Sequence, residues 1–367
     1  MEHVIVCSED LNNVGDLALM LQCAHGCRSY LGSTGIQVRQ WGQPSAEIVA
    51  QLTAAGVGVT LAKSVAGTFV PPRGGLVVVG GGQMVRDNAS VPDLLAMLLT
   101  MEMARARGGA SALLGCGVGK LTRPAHRALW RRMLSHAALV TTRDRSSGDA
   151  VRDLCGDRAV AIVTADLAFL PSPLHDALAQ VSDDEPFGIV APCEAADENR
   201  HVDVAALARS TIDAATRSGL NRIRFVSHDS RPGMDGAVCL ALIEVLRTEA
   251  PHIETTHLAS RELSDYTRAY AGARFVITNR LHAAIFGMLA GAAVVILDDG
   301  GAKTLAAAER FDLLIGPATA PFDTALLERL ADASGARLFP ARAAALEKAK
   351  ADAISNFVML DQRLSAA

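Results

Sequence analysis

From one end of the chain to the other, short runs of apolar, often β-branched residues alternate with longer segments whose apolar positions recur at helical spacing. In the first half the runs at residues 3–7, 36–40, 76–79, 111–115, 138–142 and 159–163 read as strands, with helices near 16–30, 45–54, 91–107, 123–135 and 147–154. A second alternation places strands at 187–191, 223–227, 253–257, 274–278 and 293–297, and helices near 203–218, 235–250, 262–271, 280–290 and 302–310. Between the two, residues 171–186 combine Pro171, Pro173 and Pro186 with the acids Asp183, Asp184 and Glu185, and read as a linker. Near the end, Leu346, Ala349, Ala353, Phe357 and Leu360 form one apolar stripe, the mark of an amphipathic helix. The pattern predicts an α/β fold of two doubly wound, Rossmann-like domains facing a cleft, residues 1–175 and 176–340, with residues 341–367 a helix packing back across them. No short repeat, coiled coil or long exposed apolar helix stands out, so the oligomeric state stays open.

Composition narrows the class. A chain of 367 residues suits two ordinary domains, and 50% hydrophobic with only 4% aromatic residues means cores built from Ala, Val and Leu. Disorder and fibrous architectures are excluded. A formal net charge of −4 gives no global attraction to nucleic acid, and none is expected as a partner. No apolar run reaches the roughly 20 residues a bilayer span requires, and residues 1–10 do not make a secretory signal, so a cytoplasmic protein is expected. Seven scattered cysteines, an odd number, fit reduced thiols. Cys23, His25 and Cys27 look superficially like metal ligands but lie on a helical pattern with no second pair at zinc spacing, so no metal is expected.

The candidate chemistry centres on residues 275–291. A β-branched run ends at Thr278-Asn279 and a helical pattern begins almost at once, with Arg280 and His282 at the changeover. Asn279 is expected as the N-cap and Gly291 near the C-cap. In an open parallel sheet ligands bind at the carboxyl ends of strands. A helix N-terminus there offers free N–H groups to an anion, Arg280 adds a forked cation, and His282 moves a proton near neutral pH.

Other strand ends add to this site. After the first strand, Asn13 or Asp16 can cap the helix while Gly15 permits close backbone approach. Gly80, Gly81 and Gly82 follow a buried strand directly, and Gly115-Cys116-Gly117-Val118-Gly119-Lys120 repeats the device. Neither has the spacing of a dinucleotide fingerprint or a P-loop. Arg143 follows another strand with Asp144 placed to orient it, a surface ion pair being the plain alternative. Lys303 heads a helix at the neighbouring strand end, and His228 and Asp229 end a further strand facing the same cleft. Helix 123–135 carries Arg123, Arg127 and Arg131 with Trp130 and Arg132, a face suited either to solvent or to an anionic membrane surface.

Asn13-Val14-Gly15-Asp16, the triplet Gly80-Gly81-Gly82, Gly115 to Gly119, Arg143-Asp144 with Ser147, Ala165-Asp166-Leu167-Ala168-Phe169, Arg280-Leu281-His282 and Lys303 occur in this order over most of the chain. Together they resemble the polysaccharide pyruvyl transferase family. Lys120 stands where that family usually has proline, and Asp298-Asp299-Gly300-Gly301-Ala302 replaces its usual approach to the lysine; both departures bear on acceptor choice. The resemblance implies a GT-B-like fold and transfer of the pyruvyl group of phosphoenolpyruvate onto two hydroxyls of a sugar. It implies that Arg143, Arg280, Leu281, Lys303 and Asn279 bind phosphoenolpyruvate, with His282 as general acid. Asp16 would position or deprotonate the acceptor, and Asn13, Gly15, Gly80, Gly81, Gly82, Gly117 and His228 would line the acceptor side or its loops. Phosphoenolpyruvate would be the donor, with no further cofactor and no metal. The acceptor would be a sugar or lipid-linked oligosaccharide, met at the inner face of the membrane if helix 123–135 touches it. Two rivals remain: a nucleotide-sugar glycosyltransferase, with Glu309 as the ribose-binding carboxylate, and a non-catalytic glycan-binding scaffold.

Overall fold

The computed structural model describes residues 3–7, 11–41, 44–62, 70–180, 185–193, 201–229, 231, 234–335 and 340–366. Residues 8–10 of the first junction motif, and Asp183 and Asp184 of the expected linker, lie outside the described residues. The chain divides into two compact units: Met1–Asn12 with Asp16–Pro171 and Lys348–Ala367, and Asn13–Gly15 with Ser172–Glu347.

The described strands of the first unit are β1 (His3–Cys7), β2 (Gly35–Trp41), β3 (Val57–Ala62), β4 (Leu76–Gly80), β5 (Ala110–Cys116), β6 (Leu139–Thr142) and β7 (Ala161–Val163). They pair in parallel in the order β3-β2-β1-β4-β5-β6-β7. Helices α1 (Val14–Leu31), α2 (Ala46–Ala54), α3 (Val91–Ala106), α4 (Pro124–His136) and α5 (Arg145–Cys155) connect them. Parallel strands are buried on both faces, which is why Leu76–Gly80 is an unbroken apolar run with every residue buried. Strand β3 went unassigned in the sequence because Gly58 and Thr60 interrupt its apolar run.

The second unit repeats the plan. Its described strands are β8 (Gly188–Ala191), β9 (Arg222–Val226), β10 (Glu254–Leu258), β11 (Phe275–Thr278), β12 (Ala293–Asp298) and β13 (Leu314–Pro317), all parallel, in the order β10-β9-β8-β11-β12-β13. Helices α6 (Pro173–Ala179), α7 (Val204–Arg217), α8 (Asp235–Glu249), α9 (Leu263–Tyr270), α10 (Leu281–Leu289), α11 (Ala302–Phe311) and α12 (Thr324–Gly335) surround it. The expected linker is corrected: α6 forms inside it, with Pro173 at the start of the helix, where a missing N–H costs nothing, and Ser172 accepting from the Leu174 N–H at 3.2 Å. Strand β13 and helix α12 were also missed; the four-residue edge strand alternates buried and exposed and contains Gly316 and Pro317.

The last helix, α13 (Pro340–Ser365), buries Leu346, Ala349, Ala353, Phe357 and Leu360, as the stripe predicts. Within the first unit Asn356 takes hydrogen bonds from the hydroxyls of Thr141 and Thr164, the latter at 2.9 Å. Phe357 stacks on Tyr30 at 5.9 Å and lies over Gly26 of α1, where any Cβ would overlap its ring. Phe357 is fully buried, so Phe357→Ala is expected to cost the chain about 3–5 kcal/mol. Urea unfolding of the full chain measures this, and a loss below about 1 kcal/mol contradicts the packing role of α13.

Candidate functional site

Each sheet reverses its strand order once, at β1/β4 and at β8/β11. A doubly wound sheet opens its ligand crevice at such a reversal, because the flanking connections leave on opposite faces. In the second unit the reversal is tied together by two side chains. The Thr278 hydroxyl donates to the Ala191 carbonyl at 2.6 Å. Asn279 accepts from the Cys193 N–H at 2.6 Å and donates to the Cys193 carbonyl at 2.6 Å and the Asp299 carboxylate at 2.7 Å. The fully buried Asn279 therefore joins the ends of β8, β11 and β12. The expectation that it caps α10 is corrected: Arg280 holds that position, and no side chain caps the helix. The N–H groups of the first turn of α10 consequently lack the capping oxygen that Asn279 gives to the strand ends instead.

Arg280 is not a solvated cation. It bonds Asp235 at the start of α8, and Asp235 is fully buried. The second Asp235 oxygen accepts the N–H groups of His228 and Asp229 at 3.0 and 3.1 Å. Burial alone would lower the Arg280 pKa, but the Asp235 charge outweighs it and holds the guanidinium protonated. Burial pushes the Asp235 carboxyl upward, against the pull of Arg280. The Arg280 Nε remains buried with no hydrogen-bond partner among the described residues. Sequence reading missed Asp235, which looked only like a helix-starting acid; its role depends on the start of α8 lying beside Arg280, just past β11.

His228 is corrected from a cleft-lining residue to an interior one. It is 1% exposed, bonded through Nε2 to the Tyr270 hydroxyl at 2.7 Å, and packed edge-on against the rings of Tyr266 and Tyr270. Burial, with the charges of Arg280 and His282 adding to it, lowers its pKa well below the ordinary value. Its carbonyl accepts the Val14 N–H at 2.9 Å, and Asn13 bridges Asp229. Asn13 caps α1 through the Gly15 N–H at 2.9 Å, as expected. Gly15 lies against the half-buried imidazole of His282, so close that a Cβ would overlap the ring at Nδ1. Asn13, Gly15, His228, Asn279, Arg280, Leu281 and His282 thus belong to one unit. Lys303 is half-buried in the first turn of α11, following the Asp299 that Asn279 holds.

The first unit assembles a second group at the ends of β4, β5 and β6. Gly81 and Gly82 have positive φ of 71° and 68°, which explains glycine there. The Gly117 N–H donates to the Gly82 carbonyl at 2.7 Å, and Gly117 lies against the Arg143 guanidinium. Arg143 is buried rather than a surface ion pair. Its nearest carboxylate is Asp166 at 3.1 Å, and Asp144 lies at 3.5 Å, so the expected orienting role falls mainly to Asp166. Asp144 instead caps α5 through the Ser147 N–H at 2.7 Å. Asp16 is half-buried in the first turn of α1. Trp130 is buried at 1% exposure, which removes it as an aromatic anchor on the α4 face, and Arg131 donates to the Leu154 carbonyl at 2.8 Å. Cys23 and Cys27 are buried in α1, and no cluster of metal-ligating side chains occurs among the described residues.

A family model described as polysaccharide pyruvyl transferase matches residues 65–300, more than half of the chain. No curated protein sequence matches the chain. Among solved structures, a UDP-GlcNAc 2-epimerase from Neisseria meningitidis aligns over 100% of both chains at 12% identity and a TM-score of 0.60. The Anabaena protein HepE in complex with UDP and glucose aligns over 100% of both chains at 12% identity and 0.56. Phytolacca americana UGT2 complexed with UDP-2fluoro-glucose and pterostilbene aligns over 100% of both at 8% identity and 0.55. These likenesses establish the two-domain GT-B fold.

Two outcomes test the geometry. Glycine to alanine in a helix ordinarily gains about 1 kcal/mol, but Gly15→Ala is expected to lose about 1–3 kcal/mol because the new methyl displaces His282. Urea unfolding that shows a gain instead contradicts the contact. His228 stays neutral in the fold but takes up a proton near pH 6.5 once unfolded, so its contribution to stability is whole above that pH and is lost as pH falls below it. His228→Gln should flatten the acid side of the melting temperature against pH; an unchanged slope assigns the acid loss to other groups.

Proposed function

Because the chain belongs to the polysaccharide pyruvyl transferase family, we propose that it moves the pyruvyl group of phosphoenolpyruvate onto two hydroxyls of one sugar, closing a cyclic ketal. The observation that carries this reading is Arg280: a buried guanidinium, fixed on one side by Asp235, with a buried Nε unpartnered among the described residues at the uncapped start of α10 and His282 two residues on. Such a set suits a small dianion beside a proton donor.

In this reading Arg280 and the first-turn N–H groups around Leu281 take one anionic end of phosphoenolpyruvate, and Lys303 of the same unit takes the other. Asn279 serves by holding the strand ends that shape the site. His282 gives its proton to the methylene carbon, which becomes the methyl group, while C2 turns electrophilic and accepts one sugar hydroxyl. The hydroxyl proton passes to a base, for which Asp16, positioned with Asn13, is the candidate. The C2–O bond to phosphate then breaks, and the neighbouring hydroxyl adds to C2 and loses its proton as inorganic phosphate departs. His228 supports the start of α8 from within, through its N–H to Asp235. The step consumes no redox equivalent, and fixed cations can carry the developing charge. The acceptor is a sugar or lipid-linked oligosaccharide on the cytoplasmic side.

The fold likeness to proteins crystallised with UDP-GlcNAc or with UDP and glucose keeps the nucleotide-sugar reading in view, but Glu309, its candidate ribose-binding carboxylate, is exposed on α11. Thermal-shift titration separates the readings: phosphoenolpyruvate should raise the melting temperature by mass action and UDP should not. The reverse result overturns the proposal, and absence of turnover with every donor supports a scaffold. With a competent acceptor, His282→Ala should lower phosphate release by about a hundredfold to ten-thousandfold. Arg280→Ala should chiefly raise the KM for phosphoenolpyruvate, and an unchanged KM removes Arg280 from the donor site.

A further inference from the structure

Helix α3 is apolar on both sides. Its inner face buries Leu94, Met97, Leu98, Met101 and Ala104 in the core of the first unit. Its outer face carries Val91, Leu95 and Leu99 at four-residue spacing, 37%, 40% and 44% exposed, with exposed Pro92 and Ala106 beside them. A helix apolar all round is ordinarily enclosed, so this outer face is built to meet something. The sequence pattern, in which no long exposed apolar helix stands out, did not single out this face.

The charges around it identify the class of partner. Across α3 and its capping Arg107, with α4 and its capping Arg123, six arginines stand against only Asp93 and Glu102, although the whole chain carries −4. The Glu102 carboxylate is enclosed by Arg105 and Arg132 at 3.0 Å and His136 at 2.6 Å, and Asp93 is held by the Ser90 hydroxyl. Arg105, Arg107, Arg123, Arg131 and Arg132 are exposed. An apolar helical stripe beside a basic helix is the arrangement that inserts side chains between anionic lipid headgroups. A second copy of this chain would bring the arginine-rich helix against its own image, which like charges oppose. We infer that the outer face of α3, with α4 as its basic rim, docks on an anionic lipid bilayer surface. The apolar anchor is therefore Val91, Leu95 and Leu99, not Trp130, and the inference uses nothing of the donor chemistry.

Co-sedimentation of the full chain with vesicles of phosphatidylglycerol and phosphatidylcholine, against phosphatidylcholine alone, tests it. Binding should require the anionic lipid and weaken with salt. Leu95→Glu and Leu99→Glu should each weaken it about tenfold or more, and Arg107→Glu and Arg131→Glu about fivefold each. Leu99→Ser is the milder variant if glutamate disturbs folding, and an unchanged urea midpoint confirms that the fold is kept. No pelleting with anionic vesicles overturns the inference, as does binding indifferent to Leu95 and Leu99. A dimer seen by sedimentation equilibrium and dissolved by the same leucine variants, without lipid binding, overturns it in favour of a second copy. Turnover with soluble substrates is read separately, so failure here leaves the catalytic proposal standing.

Discussion

The buried pair of Arg280 and Asp235 governs the second unit. Removing two charges from water costs several kcal/mol per ion in real proteins, and apolar residues of the same size often pack at least as well. Here the cost is offset by close pairing and by two backbone N–H groups aimed at the same carboxylate. What the pair supplies is position. A guanidinium anchored on one side presents its remaining donor in one direction, and an anion finds that geometry already formed.

The elements around the pair follow from the same demand. Asn279 spends its whole amide on the ends of β8 and β12, leaving the start of α10 uncapped. His228 gives its N–H to Asp235 and its carbonyl accepts the Val14 N–H, which holds Asn13–Gly15 within the second unit. Gly15 then touches His282, so the imidazole is held by a residue that has no side chain of its own. The aromatic rings of Tyr266, Tyr270 and Phe286 enclose His228 and keep water from this network. Low polarity there strengthens every charge contact it encloses.

The first unit uses a related device with different parts. Arg143 is buried between Asp166 and Asp144, and Gly117 gives it room. Both units therefore place an arginine at the carboxyl end of a strand and hold it by a carboxylate distant in sequence. The first unit also depends on α13, whose Asn356 and Phe357 complete its interior from the far end of the chain.

The alternation of apolar runs and helical segments determined the fold class and most of the elements, because a buried parallel strand and an amphipathic helix leave distinct periods in the chain. It also determined that Arg280 and His282 stand where a strand becomes a helix, since that depends on local order alone. It missed α6, β3 and β13, where proline, glycine or an edge position blurs the period, and it missed α12 although the buried Leu326, Leu327, Leu330 and Ala333 of that helix keep helical spacing. Only the tertiary structure decided which carboxylates answer the arginines. Asp235 lies 45 positions from Arg280 and Asp166 lies 23 from Arg143, and such pairings depend on the strand order of a sheet, which no local pattern records. The same holds for the burial of His228 and Trp130 and for the exposure of Leu95 and Leu99. Which side of an apolar helix faces the core is settled by its neighbours, and a sequence apolar on both sides leaves that choice to packing.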